Sequence, residues 1–349
     1  MSRIITYCEA LCEATSQCME EDSSVFIYGI GVPDHKKIFG STNGLVEKFG
    51  KGRCFDTPLS EDSMLGIGLG AAMNGLRPIN VHIRVDFLLL AMNQLVNMVS
   101  NIRYSSGEQV EVPLVIRAVI GRGWGQGSQH SKSLQSIFAH IPGLKVVMPT
   151  TPYDAKGLLI SAIHDNGPVI ILEHRWLYWQ HGDVPKEMYE IPIGKGNIIK
   201  TGTDLTIIAT SWMCVEAFHA AKILKNYNIN VEIVDPRSIC PLDIDLIIQS
   251  VSKTKKCIII DNDWVYCGFS SEVSSQIYEK CFNSLDCPIV KIGFIHTPCP
   301  TSRHLENKFY PNASNIIRAV EKIFNLSSID LSKEDFYAQE LHLLAHELK

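Results

Sequence analysis

Two side chains that can carry out acid–base chemistry stand next to glycine-rich stretches of this 349-residue chain. Glu61 precedes an apolar segment, 64–73, that contains three glycines, and His130 lies at the end of a loop that starts with four glycines in seven residues, at 121–127. Carboxyl and imidazole groups are common proton-transfer groups in enzymes. These two stretches are therefore candidate sites of chemistry.

Purely structural explanations compete at both positions. Pro58 and Ser60 indicate that a helix begins near Glu61, where a carboxylate could simply favour the positive end of the helix dipole. Glycines inside a helix cost about 1 kcal/mol each relative to alanine, so a neighbouring helix or a ligand must come close. A dinucleotide fingerprint is discounted because no strand directly precedes these glycines. On residue types alone, tight helix packing and a solvated loop histidine are the favoured explanations.

Composition limits the classes of protein to which the chain can belong. Hydrophobic residues make up 46% of it, enough for a substantial core. The formal net charge of −5 lacks the basic excess of nucleic-acid-binding proteins, and no apolar run is long enough to cross a membrane. The eleven cysteines include no CxxC pair, and residues 1–20 lack the apolar core of a signal peptide. We therefore expect a cytoplasmic protein with neither nucleic acid nor membrane as a partner.

Alternating strand and helix patterns predict an α/β fold. Buried strands are expected at 24–30, 78–85, 113–120, 145–148 and 168–172, with helices at 3–20, 43–49, after Glu61, at 87–104, near Lys132 and at 153–164. In the strand 78–85, Val81, Ile83 and Val85 are predicted to face one way, and His82 and Arg84 the other. This order of elements predicts a parallel sheet that is covered on both faces.

A second α/β unit follows a segment rich in proline, glycine and aromatic residues at 176–197. Its strands are expected at 204–210, 230–235, 256–261 and 288–294, and its helices at 212–226, 243–252, 271–282 and 313–325. The chain is thus predicted to form two doubly wound α/β domains, residues 1–180 and 201–326, joined by a linker at 181–200. A polar tail at 327–349 is expected to be helical.

Sequence blocks in a fixed order carry a family resemblance. The most specific blocks are DTPLSE (56–61) and GIGLGAAMNGLRPI (66–79), and shorter ones are QHS (129–131), PGLKVV (142–147) and SAIHDNGPV (161–169). Over residues 4–325 the chain resembles the β subunits of thiamine diphosphate-dependent 2-oxo acid dehydrogenases, including those for pyruvate, branched-chain 2-oxo acids and acetoin. Such subunits are similar to the pyrimidine-binding and C-terminal domains of transketolase, and this implies the same two domains here.

The resemblance assigns roles to the residues singled out above. Thiamine diphosphate reacts only after its own aminopyrimidine has taken up a tautomer that shares a proton with a carboxyl group, and Glu61 matches the family's carboxyl group. Phe87 would stack on the aminopyrimidine, and Ile83 would line the same wall. His130 corresponds to the family's active-site histidine, for which substrate binding and proton transfer are expected.

A missing motif implies a partner subunit. Thiamine enzymes anchor the diphosphate through Mg²⁺, usually on a GDG motif, which this chain lacks. The resemblance therefore implies that an α subunit supplies the Mg²⁺ and diphosphate half, in an α2β2 heterotetramer with a β–β contact and active sites at the α/β interfaces. The family often holds a structural K⁺ mainly through backbone carbonyls, and the matching positions here are Leu114, Ala162, Ile163, Asp165 and Gly167.

Some positions depart from the family pattern. They lie after the first strand, beside the cofactor wall and in the glycine-rich loop: Ile30, Gly31, Val81, Arg122 and Trp124. Arg84 also replaces an uncharged residue beside the cofactor wall. One hypothesis is that Arg84 binds an anionic or polyhydroxylated substrate. The alternative, given equal weight, is that it only pairs with a carboxylate such as Asp86 or one on the α subunit.

The resemblance predicts an enzyme that decarboxylates a small-molecule 2-oxo acid and transfers the acyl group, normally to the lipoyl domain of an acyltransferase. A second hypothesis keeps the cofactor but transfers a two-carbon unit to a sugar or aldehyde, as split transketolase-like enzymes do. A third is a non-catalytic scaffold subunit. Glu61, Phe87 and His130 argue against the scaffold, whereas Ile30 and Gly31 leave it open.

Overall fold

Short runs of branched apolar residues form the strands of this protein, because such side chains fill both faces of a parallel sheet. The computed structural model describes residues 2–121, 125–334 and 336. The strands are β1 (Ser2–Thr6), β2 (Val25–Tyr28), β3 (Cys54–Phe55), β4 (Arg77–His82), β5 (Val115–Ile120), β6 (Lys145–Val147), β7 (Val169–His174), β8 (His181–Pro185), β9 (Asn197–Lys200), β10 (Leu205–Ala209), β11 (Val231–Asp235), β12 (Ser238–Cys240), β13 (Cys257–Trp264) and β14 (Val290–Phe294).

The helices connect these strands. They are α1 (Tyr7–Glu21), α2 (Leu45–Phe49), α3 (Glu61–Met73), α4 (Val85–Leu88), α5 (Ile102–Ser105), α6 (Gln135–Ala139), α7 (Pro152–His164), α8 (Trp212–Lys225), α9 (Ile244–Thr254), α10 (Phe269–Cys281), α11 (Arg303–Phe309) and α12 (Ala313–Phe324). Capping boxes at Thr6, Thr151 and Asn312 fix the starts of α1, α7 and α12, because each cap side chain and the residue three positions later satisfy each other's backbone N–H groups.

Two sheets organise the chain, which confirms the predicted α/β class. The first has the order β12-β6-β7-β5-β4-β2-β3 and is parallel except for β12, which pairs antiparallel with β6. The second has the order β14-β13-β10-β11-β9 and is parallel except for β9. Because β12 comes from the second half of the chain, the two halves share one edge of the first sheet. A two-stranded antiparallel ribbon joins β1 to β8, which lies in the expected linker.

The expected helix over 3–20 is shorter than predicted. Residues 2–6 form β1 instead, because their backbone groups pair with β8, and the helix starts only after Thr6 caps it. No long-range partner of this kind could be read from the local pattern. The prediction was therefore right for the helix and wrong for its first residues.

The single long helix expected over 87–104 is broken. Its two parts, Val85–Ala91 and Gln94–Ser105, meet at an angle of 66°, and a π-helical segment occupies Gln94–Val99. The Ser100 hydroxyl and the Asn101 amide donate to the carbonyl oxygen of Val96 at 2.7 and 3.0 Å. These side chains compete for a carbonyl that a regular helix would use, and this favours the irregular turn.

The strand predicted over 78–85 ends earlier than expected, because β4 stops at His82 and Val85 already begins α4. His82 and Arg84 are buried, because the sheet is covered on both faces. Burial lowers the pKa of His82 to about 4, so the ring is neutral near pH 7. Its Nε2 lies 2.7 Å from Oδ1 of Asn80. The alternation therefore reflects two buried environments rather than one buried and one polar face.

Two smaller predictions also differ from the structure. The helix expected near Lys132 begins only at Gln135, and residues 131–134 form neither helix nor strand. Of the predicted helical tail, 327–334 contains no helix, and the remainder lies almost entirely outside the described residues. Within the described ranges, no single helix is long and apolar enough to span a membrane; only the bent pair Val85–Ala91 and Gln94–Ser105 meets that test, and only when its two parts are counted together.

Candidate active site

Glu61 is the first residue of α3, at the positive end of the helix dipole. Its side chain is partly exposed, and no described residue forms a hydrogen bond or ion pair with its carboxylate. Ser60 precedes the helix as expected, but its side chain makes no capping hydrogen bond. The neighbouring acid Asp62 differs, because it accepts a hydrogen bond from Gln94 Nε2 at 3.2 Å. The first turn of α3 thus holds one engaged carboxylate and one available carboxylate.

The glycines of α3 mostly serve packing within the chain. A Cβ on Gly68 would lie 2.0 Å from the Tyr28 hydroxyl, and one on Gly66 would lie 3.3 Å from the Gln94 amide. The Tyr28 hydroxyl also donates to the Met64 carbonyl at 3.1 Å, which ties α3 to β2. Apart from the neighbouring residues and the backbone of α3 itself, no described residue lies within 4 Å of a Cβ on Gly70. Of the three glycines, only Gly70 leaves open space for a ligand or a partner.

Phe87 and His130 come together, although 42 residues separate them. Their ring centroids lie 5.2 Å apart and their planes meet at 79°, an edge-to-face contact. Phe87 lies in α4, just after β4, and His130 follows the loop after the neighbouring strand β5. Half-exposed Ile83 lies in the turn between β4 and α4. These three residues therefore share the carboxyl edge of the first sheet, where open α/β sheets bind ligands.

Helix α3 packs on β4 and on the helical turn Leu89–Ala91. The same stretch of chain, just before that turn, carries Ile83 and Phe87. Helix α3, which bears Glu61, is therefore the immediate neighbour of the segment that bears Ile83 and Phe87, the two residues predicted to contact the aminopyrimidine ring.

Arg84 is 4% exposed and is engaged within the chain. Its Nη1 donates to the Gly121 carbonyl at 3.0 Å, and its Nη2 donates to the Gln126 side chain. Burial lowers the pKa of its guanidinium. The expected partner Asp86 pairs instead with Lys132 Nζ at 2.8 Å. Arg84 therefore anchors both ends of the glycine-rich loop, a role that sequence spacing did not indicate.

The middle of this loop, which includes Arg122 and Trp124, lies outside the described residues. Its first residue, Gly121, has a φ of 76°, and a Cβ there would lie 2.2 Å from His174 Nε2. Glycine is therefore required where the loop leaves β5.

Two of the five positions that match the family's K⁺ site, Ile163 and Asp165, already bind cationic side chains of the chain itself. Arg77 Nη1 donates to the carbonyls of Ile163 and Asp165 at 2.8 and 3.2 Å. Lys145 pairs with the Asp165 carboxylate, which also accepts the Gly167 N–H at 2.8 Å. The Leu114 carbonyl accepts the Val169 N–H at 3.0 Å. A K⁺ ion here would have to share its carbonyls with a guanidinium.

The segment that follows His130 enters the second domain. Gln135 Nε2 donates to Asp261 Oδ1 at 2.9 Å, and the Ser136 hydroxyl donates to Asp263 Oδ2 at 2.6 Å. Both carboxyl groups lie on β13 and are buried. Burial raises the pKa of both groups, and the nearby Asp261 raises that of Asp263 further, to about 7. The contact between the domains thus contains two costly buried acids.

Replacing Asp263 by asparagine should stabilise the protein at alkaline pH. Because the folded pKa of about 7 exceeds the ordinary value of 3.8, the acid favours folding at low pH and loses that effect as the pH rises through 7. One pKa unit corresponds to about 1.4 kcal/mol, so the gain from Asp263→Asn should reach a few kcal/mol at pH 8 and shrink towards pH 4. Thermal unfolding across this pH range measures it; an equal effect at both ends would contradict the assignment.

Each half of the chain matches a known protein family. The transketolase pyrimidine-binding domain family matches residues 3–180, and the transketolase C-terminal domain family matches residues 194–316. A solved structure described as a split-gene transketolase, inactive β4 tetramer, has a TM-score of 0.73 and covers 93% of this chain and 99% of its own. At 22% identity, that likeness bears on the fold alone.

Sequence relatives are more informative. The acetoin:2,6-dichlorophenolindophenol oxidoreductase subunit β of Cupriavidus necator is 40% identical, over 92% of this chain and 98% of its own. The pyruvate dehydrogenase E1 component subunit β of Rickettsia felis is 38% identical, over 91% and 98%. The 2-oxoisovalerate dehydrogenase subunit β of Bacillus subtilis is 39% identical, over 92% and 98%. Because these proteins match along almost their whole length, the chain belongs to the β subunits of the thiamine diphosphate-dependent 2-oxo acid dehydrogenases.

Proposed function

We propose that this chain provides the pyrimidine-binding half of the active site in an α2β2 enzyme that decarboxylates a 2-oxo acid and transfers the acyl group to a lipoyl acyltransferase. The observation that carries the proposal is the unpaired Glu61 carboxylate on helix α3, which packs on β4 and on the turn Leu89–Ala91. The segment between those two elements carries Phe87, whose ring contacts that of His130. The same side chains are those for which the family resemblance predicts a role. A cytoplasmic location remains part of the proposal.

Glu61 would share a proton with the far ring nitrogen of the aminopyrimidine. When bound, thiamine diphosphate supplies a thiazolium carbon that becomes a nucleophile for the 2-oxo carbon of the substrate. Glu61 suits its part because no other described group competes for its carboxylate. Its position at the first residue of α3 leaves both carboxyl oxygens open to the ring.

Phe87 and Ile83 would contact the flat aminopyrimidine ring, and His130 would bind the substrate or transfer a proton. The Phe87 ring offers an apolar face, and its edge-to-face contact fixes the distance between that ring and the His130 imidazole. No described residue forms a hydrogen bond with the imidazole, so both nitrogens are free to bind the substrate or move a proton. Arg84, whose Nη atoms contact Gly121 and Gln126, would act on the substrate only indirectly, through the loop.

The diphosphate and Mg²⁺ would be bound by an α subunit. The chain has no GDG motif, and its described residues contain no group of three or more His, Cys, Asp or Glu side chains placed to hold a metal. Large apolar side chains are exposed around the start and outer face of α3 and on the helical turn beside it: Leu59, Ile67, Met73 and Leu90. An apolar face next to Glu61 suits a subunit interface. A K⁺ ion at Ile163 and Asp165 is compatible only if it shares those carbonyls with Arg77.

The substrate test uses the complex of this chain with its cognate α subunit. We expect thiamine-dependent decarboxylation of pyruvate or of at least one branched-chain 2-oxo acid, in the absence of sugar aldehydes. Turnover only when an aldehyde acceptor is present would favour the two-carbon transfer alternative. A complex that assembles but does not bind thiamine diphosphate would favour the scaffold alternative and overturn the proposal.

A further inference from the structure

The second sheet has the usual ligand crevice of an open α/β domain. Helix α8, which follows β10, packs with α12, whereas α10, which follows β13, packs with α9. The connections after the adjacent strands β10 and β13 therefore leave on opposite faces of the sheet, and such a point opens a crevice at the carboxyl ends of the strands.

A segment of the first domain fills this crevice. Thr210, just after β10, and Gln135 both donate to Asp261, in the second half of β13. Ser136 donates to Asp263 and also accepts the first backbone N–H of α10, from Phe269, at 2.8 Å. The groups that would bind a ligand in a free domain are thus engaged by residues five and six positions after His130. Residues of the first domain therefore bind in this crevice, at the position where a separate ligand would bind in other open α/β domains.

The second domain also touches the immediate neighbours of His130. The Tyr310 hydroxyl, in a side chain that is 6% exposed, donates to the Ser131 carbonyl at 3.0 Å. On the other side, Thr301 lies against two glycines of the loop. A Cβ on Gly127 would be 2.5 Å from Thr301 Oγ1, and one on Gly125 would be 3.1 Å from the Thr301 carbonyl oxygen. The turn that bears His130 is therefore held from both sides.

We propose that the second domain positions the His130 imidazole, with Tyr310 as the main positioning residue and Ser136 as a second one. The inference rests on the role of His130 in the proposed function. Because no described side chain forms a hydrogen bond with the imidazole, its location depends on its backbone and on the Phe87 ring. Tyr310 fixes that backbone one residue away. A cavity of about 440 Å³ between 128–132 and 296–299 gives the turn room to shift once the contact is lost.

The test compares Tyr310→Phe and Ser136→Ala with the wild-type holoenzyme, and Tyr227→Phe serves as the control because Tyr227 is 42% exposed in the same domain. In Tyr310→Phe we expect kcat to fall roughly tenfold, since misplacing a reacting group by about 1 Å can cost up to 10²-fold. KM and the Kd of thiamine diphosphate should change less than about twofold. The limb of the pH–rate profile that depends on His130 should shift, and amide exchange over 125–136 should accelerate. Ser136→Ala should show the same pattern more weakly.

The inference would be overturned if both variants kept the wild-type kcat, pH–rate profile and amide exchange. It would also be overturned if the affinity for thiamine diphosphate fell by as large a factor as kcat. If Tyr310→Phe does not fold, the same measurements on Ser136→Ala test the inference. A wild-type complex without thiamine-dependent turnover would instead refute the proposed function, and the inference with it. The two failures are therefore distinguishable.

Discussion

Replacing Glu61 by glutamine is expected to lower the thiamine-dependent turnover of the assembled α/β complex by about 10²- to 10⁴-fold, the usual contribution of a positioned acid–base group. Glutamine keeps the length of the side chain but cannot share a proton with the aminopyrimidine. Because no described residue depends on the Glu61 carboxylate for a hydrogen bond or ion pair, folding and assembly should be unchanged.

The neighbouring acid provides a matched control. Asp62 lies in the same first turn of α3, and its carboxylate binds the Gln94 amide rather than being free. Asp62→Asn should therefore retain turnover within a few-fold of the wild type. Equal losses in Glu61→Gln and Asp62→Asn would point to the charge of the helix end rather than to proton sharing, and near-normal turnover of Glu61→Gln would remove its assigned role.

Replacing Glu173 by glutamine is expected to destabilise the protein by about 3–5 kcal/mol, as is typical when one partner of a buried ion pair is removed. Arg117 and Glu173 are 0% and 1% exposed at the centre of the first sheet. Arg117 Nη2 contacts Glu173 Oε2 at 3.1 Å, and the buried Tyr178 hydroxyl donates to the same carboxylate. A neutral partner would leave the guanidinium charge uncompensated in the core.

Urea unfolding followed by circular dichroism measures this loss. Asp286→Asn is the matched control, because its pair with Lys256, at 2.9 Å, is exposed to solvent, and such pairs contribute little. If Glu173→Gln unfolds at the same urea concentration as Asp286→Asn, the buried pair is not the stabilising contact inferred here.

The sequence predicted those features that depend on local pattern. Apolar runs located the strands of both sheets except β3, β9 and β12, and Pro58 and Ser60 located the start of α3 at Glu61. The family resemblance singled out Phe87 and His130, and the structure brings their rings into contact because each follows a strand of the same parallel sheet. Periodicity and strand order are local or nearly local properties, so they can be read directly from the chain.

Long-range contacts explain where the sequence predictions failed. The glycines of α3 were expected to admit a neighbouring helix or a ligand, but Gly68 is required by the Tyr28 hydroxyl, 40 residues earlier. Arg84 was expected to bind a substrate or an acid, yet the loop carbonyl at Gly121 and the Gln126 side chain bind it. Residues 181–185 and 238–240 form strands because they pair with β1 and β6 in the first half of the chain. Their local sequence pattern does not predict this pairing.

The contact between Tyr310 and Ser131 shows the same limit most clearly. It spans 179 positions, and Ser131, although it belongs to the QHS block, takes part only through its backbone carbonyl. Local patterns identify the chemical groups of this site, whereas the packing between the domains decides how they are held.

The exchange of the thiazolium C2 proton of bound thiamine diphosphate with deuterium is the most direct test of the account, because it isolates cofactor activation from substrate choice and acyl transfer. The wild-type α/β complex should exchange this proton at least 10²-fold faster than the Glu61→Gln complex, with equal occupancy of the cofactor in both. Equal exchange rates at equal occupancy would contradict the central claim that Glu61 activates thiamine.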